Sequence, residues 1–153
     1  MDLLKKKIIK KLDIDERFLF IDKAKISKNK KSATGFYKVK KNNWVFSSHL
    51  KSNPVYPGIF LIESMCQTAM LVIYDTILKV YSNRGVLRSV DIDFINPIDY
   101  KNAPINLKIE VKKLSYKRGV SICSIKLKSI NNNKLISEGK ITHFVSYKYS
   151  KKI

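Results

Sequence analysis

A single long apolar stretch, residues 59–78, constrains the fold of this chain more than any other feature. The stretch is interrupted by Glu63, Ser64, Gln67, Thr68 and Asp75. Such interruption predicts a buried helix rather than a membrane span, and Pro57-Gly58 predicts where the helix opens. Glu63 and Gln67 are spaced i, i+4 and therefore share one face. Because the other faces are apolar, the rest of the protein must surround this helix.

Strand-like runs occupy most of the remaining chain. They cover residues 18–26, 33–40, 86–94, 105–114, 120–130 and 135–147, with a turn at 82–85. Apolar residues alternate with lysines in the later runs, which predicts a sheet with one face in water. Short, turn-rich connections predict an antiparallel meander. An amphipathic helix is expected from Leu3 to near Asp13, an irregular segment over residues 41–57, and a bulge at Gly35.

About six strands and one long apolar helix leave few possible arrangements. The pattern predicts an α+β hotdog fold, in which one antiparallel sheet wraps around the central helix. A chain of 153 residues is the size of one domain, so residues 1–153 are expected to form a single hotdog domain. The open edges of such a sheet favour a homodimer.

The charge balance favours an acidic partner. Lys and Arg number 31 against 12 Asp and Glu, which leaves a formal net charge of +19. Nucleic acid is not the favoured partner, because most of these cations are lysines and no known nucleic-acid-binding motif is present.

Cysteine content and the N-terminal pattern indicate the compartment. Cys66 and Cys123 lie in apolar surroundings without a metal-ligand pattern, so buried free thiols and no metal site are expected. Together with the absence of a signal-peptide pattern and of a predicted membrane span, this predicts a cytoplasmic protein.

Residues 49–63 carry the chemistry. The run holds a loop histidine, His49, a glycine at the start of the helix, Gly58, and a carboxyl group one turn inside it, Glu63. Histidine suits a general base, and a carboxyl in apolar surroundings can stay protonated and act as an acid. The Gly58 amide, at the helix start, suits stabilisation of negative charge on a thioester oxygen. We hypothesise removal of water from a 3-hydroxyacyl thioester.

The same run resembles the signature of the 3-hydroxyacyl-(acyl-carrier-protein) dehydratases of type II fatty acid synthesis, of the FabZ kind. That signature has the form G-H-F-P-x-x-P-x-x-P-G-x-x-x-x-E, and it is matched by His49, Pro54, Pro57, Gly58 and Glu63. Residues 17–22 and 93–97 also resemble segments of that family. The resemblance implies that His49 and Glu63 are the catalytic pair, contributed by opposite subunits, and that Gly58 binds the thioester carbonyl. Substrate tunnel and site support would come from Tyr56, Pro57, Ile59 and Gln67.

The resemblance also implies partners. The substrate would be carried on the phosphopantetheine of an acidic acyl carrier protein, with no other cofactor, and lysines near the tunnel mouth would receive that carrier. The assembly would be a homodimer, with a trimer of dimers as in the family. Ser48, Leu50 and Lys51 depart from the family's Gly, Phe and Pro. These departures remove no reacting group, but a shifted His49 backbone would be costly, which suits a specialised polyketide or lipid pathway.

Two alternatives remain open at this stage. In a hotdog thioesterase, Glu63 would activate water and Gly58 would polarise the carbonyl. In a catalytically silent hotdog subunit, the chain would only bind acyl groups or the carrier protein. The second histidine, His143, is expected to be structural.

Overall fold

One long helix and one antiparallel sheet make up most of the computed structural model, which describes residues 1–74 and 85–145. The strands are β1 (Asp2–Leu4), β2 (Lys23–Ile26), β3 (Ser32–Val39), β4 (Gly85–Phe94), β5 (Ile105–Lys117), β6 (Val120–Ser129) and β7 (Leu135–Val145). The helices are α1 (Lys5–Leu12), α2 (Val45–Ser48) and α3 (Gly58–Ile73), with short 3-10 turns at Glu16–Phe18 and Tyr100–Asn102.

The sheet wraps around α3. Its strand order is β1-β2-β3-β5-β6-β7-β4, and every neighbouring pair is antiparallel. Of the 16 residues of α3, 11 are buried, including Met65, Ala69 and Ile73 at 0% exposure. β3 and β5 are the strands that α3 contacts most, and the buried apolar faces of the sheet cover the helix. This is the hotdog fold, and the predicted meander and central helix are confirmed.

Gly35 lies where β3 and α3 approach each other closely. The expected bulge there is wrong, because β3 pairs with β2 and with β5 in continuous register through Gly35. A Cβ added at this position would overlap the Thr68 side chain of α3. The glycine therefore serves close helix-to-sheet packing rather than a change of register.

The N-terminal predictions need two corrections. Residues 2–4 form β1 rather than the start of the helix, because the edge of β2 offers backbone partners and Leu3 is buried against the core. Residues 18–22 are not a strand. The side chain of Gln67 donates to the Phe18 carbonyl and accepts from the Phe20 N–H, so those backbone groups are unavailable for pairing with another strand.

The remaining boundaries agree with the predictions to within a few residues. The segment 41–57 is irregular except for the single turn of α2. The predicted helix residues 75–78, most of the turn at 82–85, and the last strand residues 146–147 lie outside the described residues.

Both cysteines and the apolar helix have the predicted burial. Cys66 and Cys123 are free and buried. Within residues 1–74 and 85–145, no helix is long and apolar enough to cross a membrane.

Candidate active site

The loop that follows α2 is held at its far end by backbone hydrogen bonds. The Tyr56 N–H donates to the Ile98 carbonyl at 2.8 Å, and the Tyr100 N–H donates to the Pro54 carbonyl at 2.9 Å. The segment that precedes α3 is thus tied to a second segment at 98–100. This attachment limits where His49, at the other end of the loop, can lie.

His49 is half-buried and its ring is oriented by a single backbone group. Its Nδ1 atom lies 3.0 Å from the carbonyl oxygen of Val55. A carbonyl oxygen can only accept, so Nδ1 must carry the hydrogen in this contact. In the neutral ring the lone pair is then on Nε2, which is the state that a general base requires.

Tyr56 and Pro57 form the buried base of the loop, where it joins α3. Tyr56 is buried, its hydroxyl lies 3.0 Å from that of Tyr37, and its ring centroid lies 5.7 Å from that of Phe46 and 6.1 Å from that of Phe60. Pro57 is buried at the N-cap of α3. These contacts make the base of the loop a packed aromatic layer.

Gly58 begins α3 beneath the ring of Phe94. Its N–H is the first of the helix and has no partner within it, and the other described residues supply none. A Cβ added at Gly58 would lie 2.8 Å from Cζ of Phe94. Glycine therefore lets the Phe94 ring lie directly against this position, and a larger residue would require the ring to shift. The neighbouring Ile59 side chain is 65% exposed in the single chain.

Glu63 is held by Gln67, one turn later on the same helix face. The Gln67 Nε2 donates to Glu63 Oε1 at 2.9 Å and to the Phe18 carbonyl at 2.7 Å, while its Oε1 accepts from the Phe20 N–H at 2.9 Å. The Phe20 donor and the Phe18 acceptor determine which way the amide points. Because Glu63 Oε1 accepts from Gln67, a proton on this carboxyl is carried by Oε2.

Glu63 lines a cavity of about 220 Å³ between α3 and the edge of the sheet. The described residues that line it with Glu63 include Leu12, Cys66, Gln67, Met70, Leu87 and His143. His49, Tyr56 and Ile59 are not among those described lining residues. The structure thus brings Glu63 and Gln67 together, and within one copy of the described chain it does not bring His49 into their cavity.

The comparison with protein families covers most of this structure. The family model described as the FabA-like domain matches residues 14–140, which include the whole run from His49 to Glu63. This chain belongs to the FabA-like family.

Curated proteins similar to this FabA-like chain are 3-hydroxyacyl-(acyl-carrier-protein) dehydratases named FabZ. The protein of Janthinobacterium sp. is 30% identical over 105 residues, which cover 67% of this chain and 65% of the relative. The protein of Paramagnetospirillum magneticum is 38% identical over 60 residues, covering 39% of this chain and 37% of the relative. The protein of Campylobacter lari is 31% identical over 85 residues, covering 53% and 58%. The chain spans less than two thirds of the length of each of these relatives.

Solved structures show the same fold at low identity. A dehydratase heterocomplex from Xenorhabdus doucetiae matches with a TM-score of 0.68 at 12% identity, covering 92% of this chain and 91% of the other. A hypothetical thioesterase with coenzyme A from Streptococcus pneumoniae matches with a TM-score of 0.59 at 16% identity, covering 81% and 86%. At such identities the similarity establishes the hotdog fold of this FabA-like chain.

Two further titratable side chains line the cavity of this FabA-like protein. Burial raises the pKa of the Cys66 thiol to about 12, and the nearby Glu63 charge acts in the same direction, so the thiol is neutral at neutral pH. Burial lowers the pKa of His143 to about 4, so this imidazole is also neutral. Sequence reasoning did not place His143 near Glu63. The inward position in β7 was the available signal, and it cannot say which part of the helix lies opposite.

Proposed function

We propose that this protein removes water from 3-hydroxyacyl thioesters carried on an acyl carrier protein and forms trans-2-enoyl thioesters. The observation that carries this proposal is the contact between His49 Nδ1 and the Val55 carbonyl, which leaves a lone pair on Nε2. A hydrolase that activates water through Glu63 has no need of this arrangement. Membership of the FabA-like family and the FabZ names of the curated relatives support the same reaction.

Each step is assigned to a named atom. His49 Nε2 takes the proton from Cα of the substrate, and the electron pair forms the new double bond as the bond from C3 to its hydroxyl breaks. Glu63 Oε2 gives its proton to the departing hydroxyl, which leaves as water. The Gly58 N–H donates to the thioester oxygen, where negative charge develops. The proposal includes no cofactor apart from the carrier's phosphopantetheine.

Within one copy of the described chain His49 does not line the Glu63 cavity, so the proposed reaction requires a second copy. β4 is the last strand of the sheet and pairs with β7 alone among the described strands. Its exposed apolar side chains, Val86, Leu87 and Phe94, are between 48% and 54% exposed. Such an edge favours pairing with another sheet. We include in the proposal a homodimer through β4 that joins His49 of one copy to Glu63 of the other, with the family's trimer of dimers as the full assembly.

The carrier would bind at a basic groove beside α2. This groove, of about 520 Å³, is lined by Lys38 and Lys40 together with the aromatic side chains of Trp44 and Phe60. Both lysines are exposed, and the net charge of the chain is +19. A basic rim of this kind attracts an acidic protein and the phosphate of its prosthetic group. The buried free thiols fit a reducing compartment, and we place the reaction in the cytoplasm.

An ultraviolet assay of enoyl formation tests the proposal. Wild type is expected to form enoyl product from a 3-hydroxyacyl carrier substrate, and His49→Ala and Glu63→Gln are each expected to lose about 10²–10⁴-fold in kcat. Glu16→Gln, a neutralised carboxylate on the exposed N-terminal turn, is the matched control and should retain full activity. Circular dichroism must show that all variants fold. Absence of enoyl product with wild type, or full activity in both site variants, would contradict the proposal.

The same assay separates the two alternatives. A thioesterase would release free thiol, and His49→Ala would leave that release intact. A silent subunit would co-elute with the carrier and form neither enoyl product nor free thiol.

A further inference from the structure

A row of aromatic rings runs along the basic groove beside α2. In the order Phe18, Phe20, Phe60 and Trp44, neighbouring ring centroids lie 5.5, 5.2 and 6.0 Å apart. The two end rings face solvent, since Trp44 is 67% and Phe18 is 52% exposed. A single exposed apolar side chain is ordinary, but contiguous rings along one groove mark a binding surface. The pantetheine arm of a carrier has no flat ring to place on them.

The acid in the groove leaves two of its cations free to bind an anion. Asp22 is the one acidic side chain among the described residues that line the groove. Both of its oxygens are already in contact with donors, Oδ1 with Lys5 Nζ at 3.1 Å and Oδ2 with the backbone N–H of Lys38 at 2.8 Å. Lys38 and Lys40 are exposed, and neither ammonium group has an ion-pair partner among the described residues.

A tight turn fixes the exposed indole next to these cations. β3 ends at Val39, and the Asn43 N–H then donates to the Lys40 carbonyl at 3.2 Å. Trp44 follows this turn directly, and its own carbonyl accepts from Ser47 Oγ at 2.8 Å. The backbone from which the Lys40 and Trp44 side chains extend is therefore held by hydrogen bonds at both ends of the turn.

We propose that the basic groove binds a purine nucleoside phosphate, with the purine ring on the indole of Trp44 and the phosphate at Lys38 and Lys40. Bases stack favourably on exposed aromatic side chains, and lysine ammonium groups bind phosphate oxygens. The groove volume of about 520 Å³ lies within the range of small-ligand sites, about 300–1,000 Å³. This volume suits a single nucleotide better than a strand of nucleic acid. The inference goes beyond the proposed function and does not depend on the reaction.

Fluorescence measures the binding directly, because Trp44 is the one tryptophan of the chain. ADP is expected to quench the indole emission. Adenosine and ribose 5-phosphate each lack one of the two recognised groups and should bind about tenfold more weakly or worse. The double variant Lys38→Gln, Lys40→Gln should lose about tenfold in ADP affinity and keep its affinity for adenosine. Lys117→Gln, an exposed lysine at the far end of β5, is the matched control and should bind ADP as wild type does.

Calorimetry extends the test to variants without the indole. Trp44→Leu should bind ADP about tenfold more weakly, whereas Trp44→Phe, which keeps a ring, should retain part of the affinity. The control is Phe36→Leu. The Phe36 ring lies 5.0 Å from Lys23 Nζ and is not among the described residues that line the groove, so this variant should bind ADP as wild type does. Circular dichroism checks that every variant folds.

Coenzyme A distinguishes two sources of the ligand, because it carries a purine nucleotide at one end of its pantetheine. Coenzyme A that binds about tenfold more tightly than ADP, with the same dependence on Trp44 and on the two lysines, assigns the groove to thioesters of this kind. Coenzyme A that binds no more tightly than ADP assigns it to free nucleotides.

The outcomes separate this inference from the proposed function, because none of these measurements involves turnover. Absence of ADP binding, equal binding of ADP, adenosine and ribose 5-phosphate, or unchanged ADP affinity in the Trp44→Leu or double lysine variant overturns the inference. A single-stranded oligoadenylate that binds about 100-fold more tightly than ADP also overturns it, in favour of a nucleic-acid site. A protein that binds ADP as expected but forms no enoyl product contradicts the dehydratase proposal alone, and the reverse result contradicts this inference alone.

Discussion

Acid should destabilise this protein through His143. In the unfolded chain the imidazole takes up a proton near its ordinary pKa of about 6.5, whereas burial lowers the pKa in the folded state to about 4. Between these two values the unfolded state binds more protons than the folded state. The free energy of unfolding must therefore fall as the pH falls from about 6.5 to about 4.

The size of this effect follows from the two pKa values. At pH 5 the unfolded imidazole is almost fully protonated and the folded one is about one tenth protonated. The free energy of unfolding therefore changes by about 1.2 kcal/mol per pH unit near this pH. Integrated from about pH 7 to about pH 5, the His143 contribution to the free energy of unfolding falls by about 2 kcal/mol. Glu63 and Cys66 face the same cavity from α3. Both are also present in a His143 variant, and the thiol is neutral throughout this range.

Urea unfolding followed by circular dichroism measures the difference. Wild type and His143→Leu are compared at the two pH values, and the wild type should lose about 2 kcal/mol more than the variant. His49→Gln, which removes the other histidine of the chain and leaves His143 buried, is the matched control and should behave as wild type. Equal losses in wild type and His143→Leu would refute the reasoning, because the buried ring would then not be the group responsible.

Two further variants test the site and the docking groove. Gly58→Ala should lower kcat by about 10²-fold, because the added Cβ would lie 2.8 Å from Cζ of Phe94. Phe94→Ala in the same chain should restore part of the activity. No rescue in the double variant would contradict this account. Changing Lys38 and Lys40 to Glu should raise KM for the carrier-bound substrate and leave a pantetheine-bound substrate unaffected. The control Lys117→Glu makes the same kind of charge change at the opposite end of β5, and it should alter neither KM.

Much of the architecture was predictable because it depends on local patterns. The apolar stretch with few polar interruptions indicated a buried helix. The alternation of apolar residues with lysines indicated strands with one face in water. The opening of α3 at Gly58 and the meander of β5, β6 and β7 followed from turn and periodicity signals. These signals involve residues that are close in sequence, so they can be interpreted without knowledge of the fold.

The errors occurred where a distant residue decided the local structure. Residues 18–22 have a strand-like composition, yet the Gln67 amide from α3 takes their backbone groups. A bulge was expected at Gly35, but this residue instead leaves room for the Thr68 side chain of the helix. Neither partner can be identified by counting positions along the chain.

The sequence by itself determined which chemical groups are available, namely an imidazole, a carboxyl and a helix-start amide in one short run, and that a sheet must enclose the helix bearing two of them. Only the tertiary structure decided how these groups are oriented and which of them share a cavity. The Val55 carbonyl orients the His49 ring, Gln67 orients Glu63, and the wrapping of the sheet around α3 places His143 of β7 in the Glu63 cavity. The physical reason is that composition and periodicity act within a segment, whereas hydrogen-bond direction and burial depend on which segments are packed together.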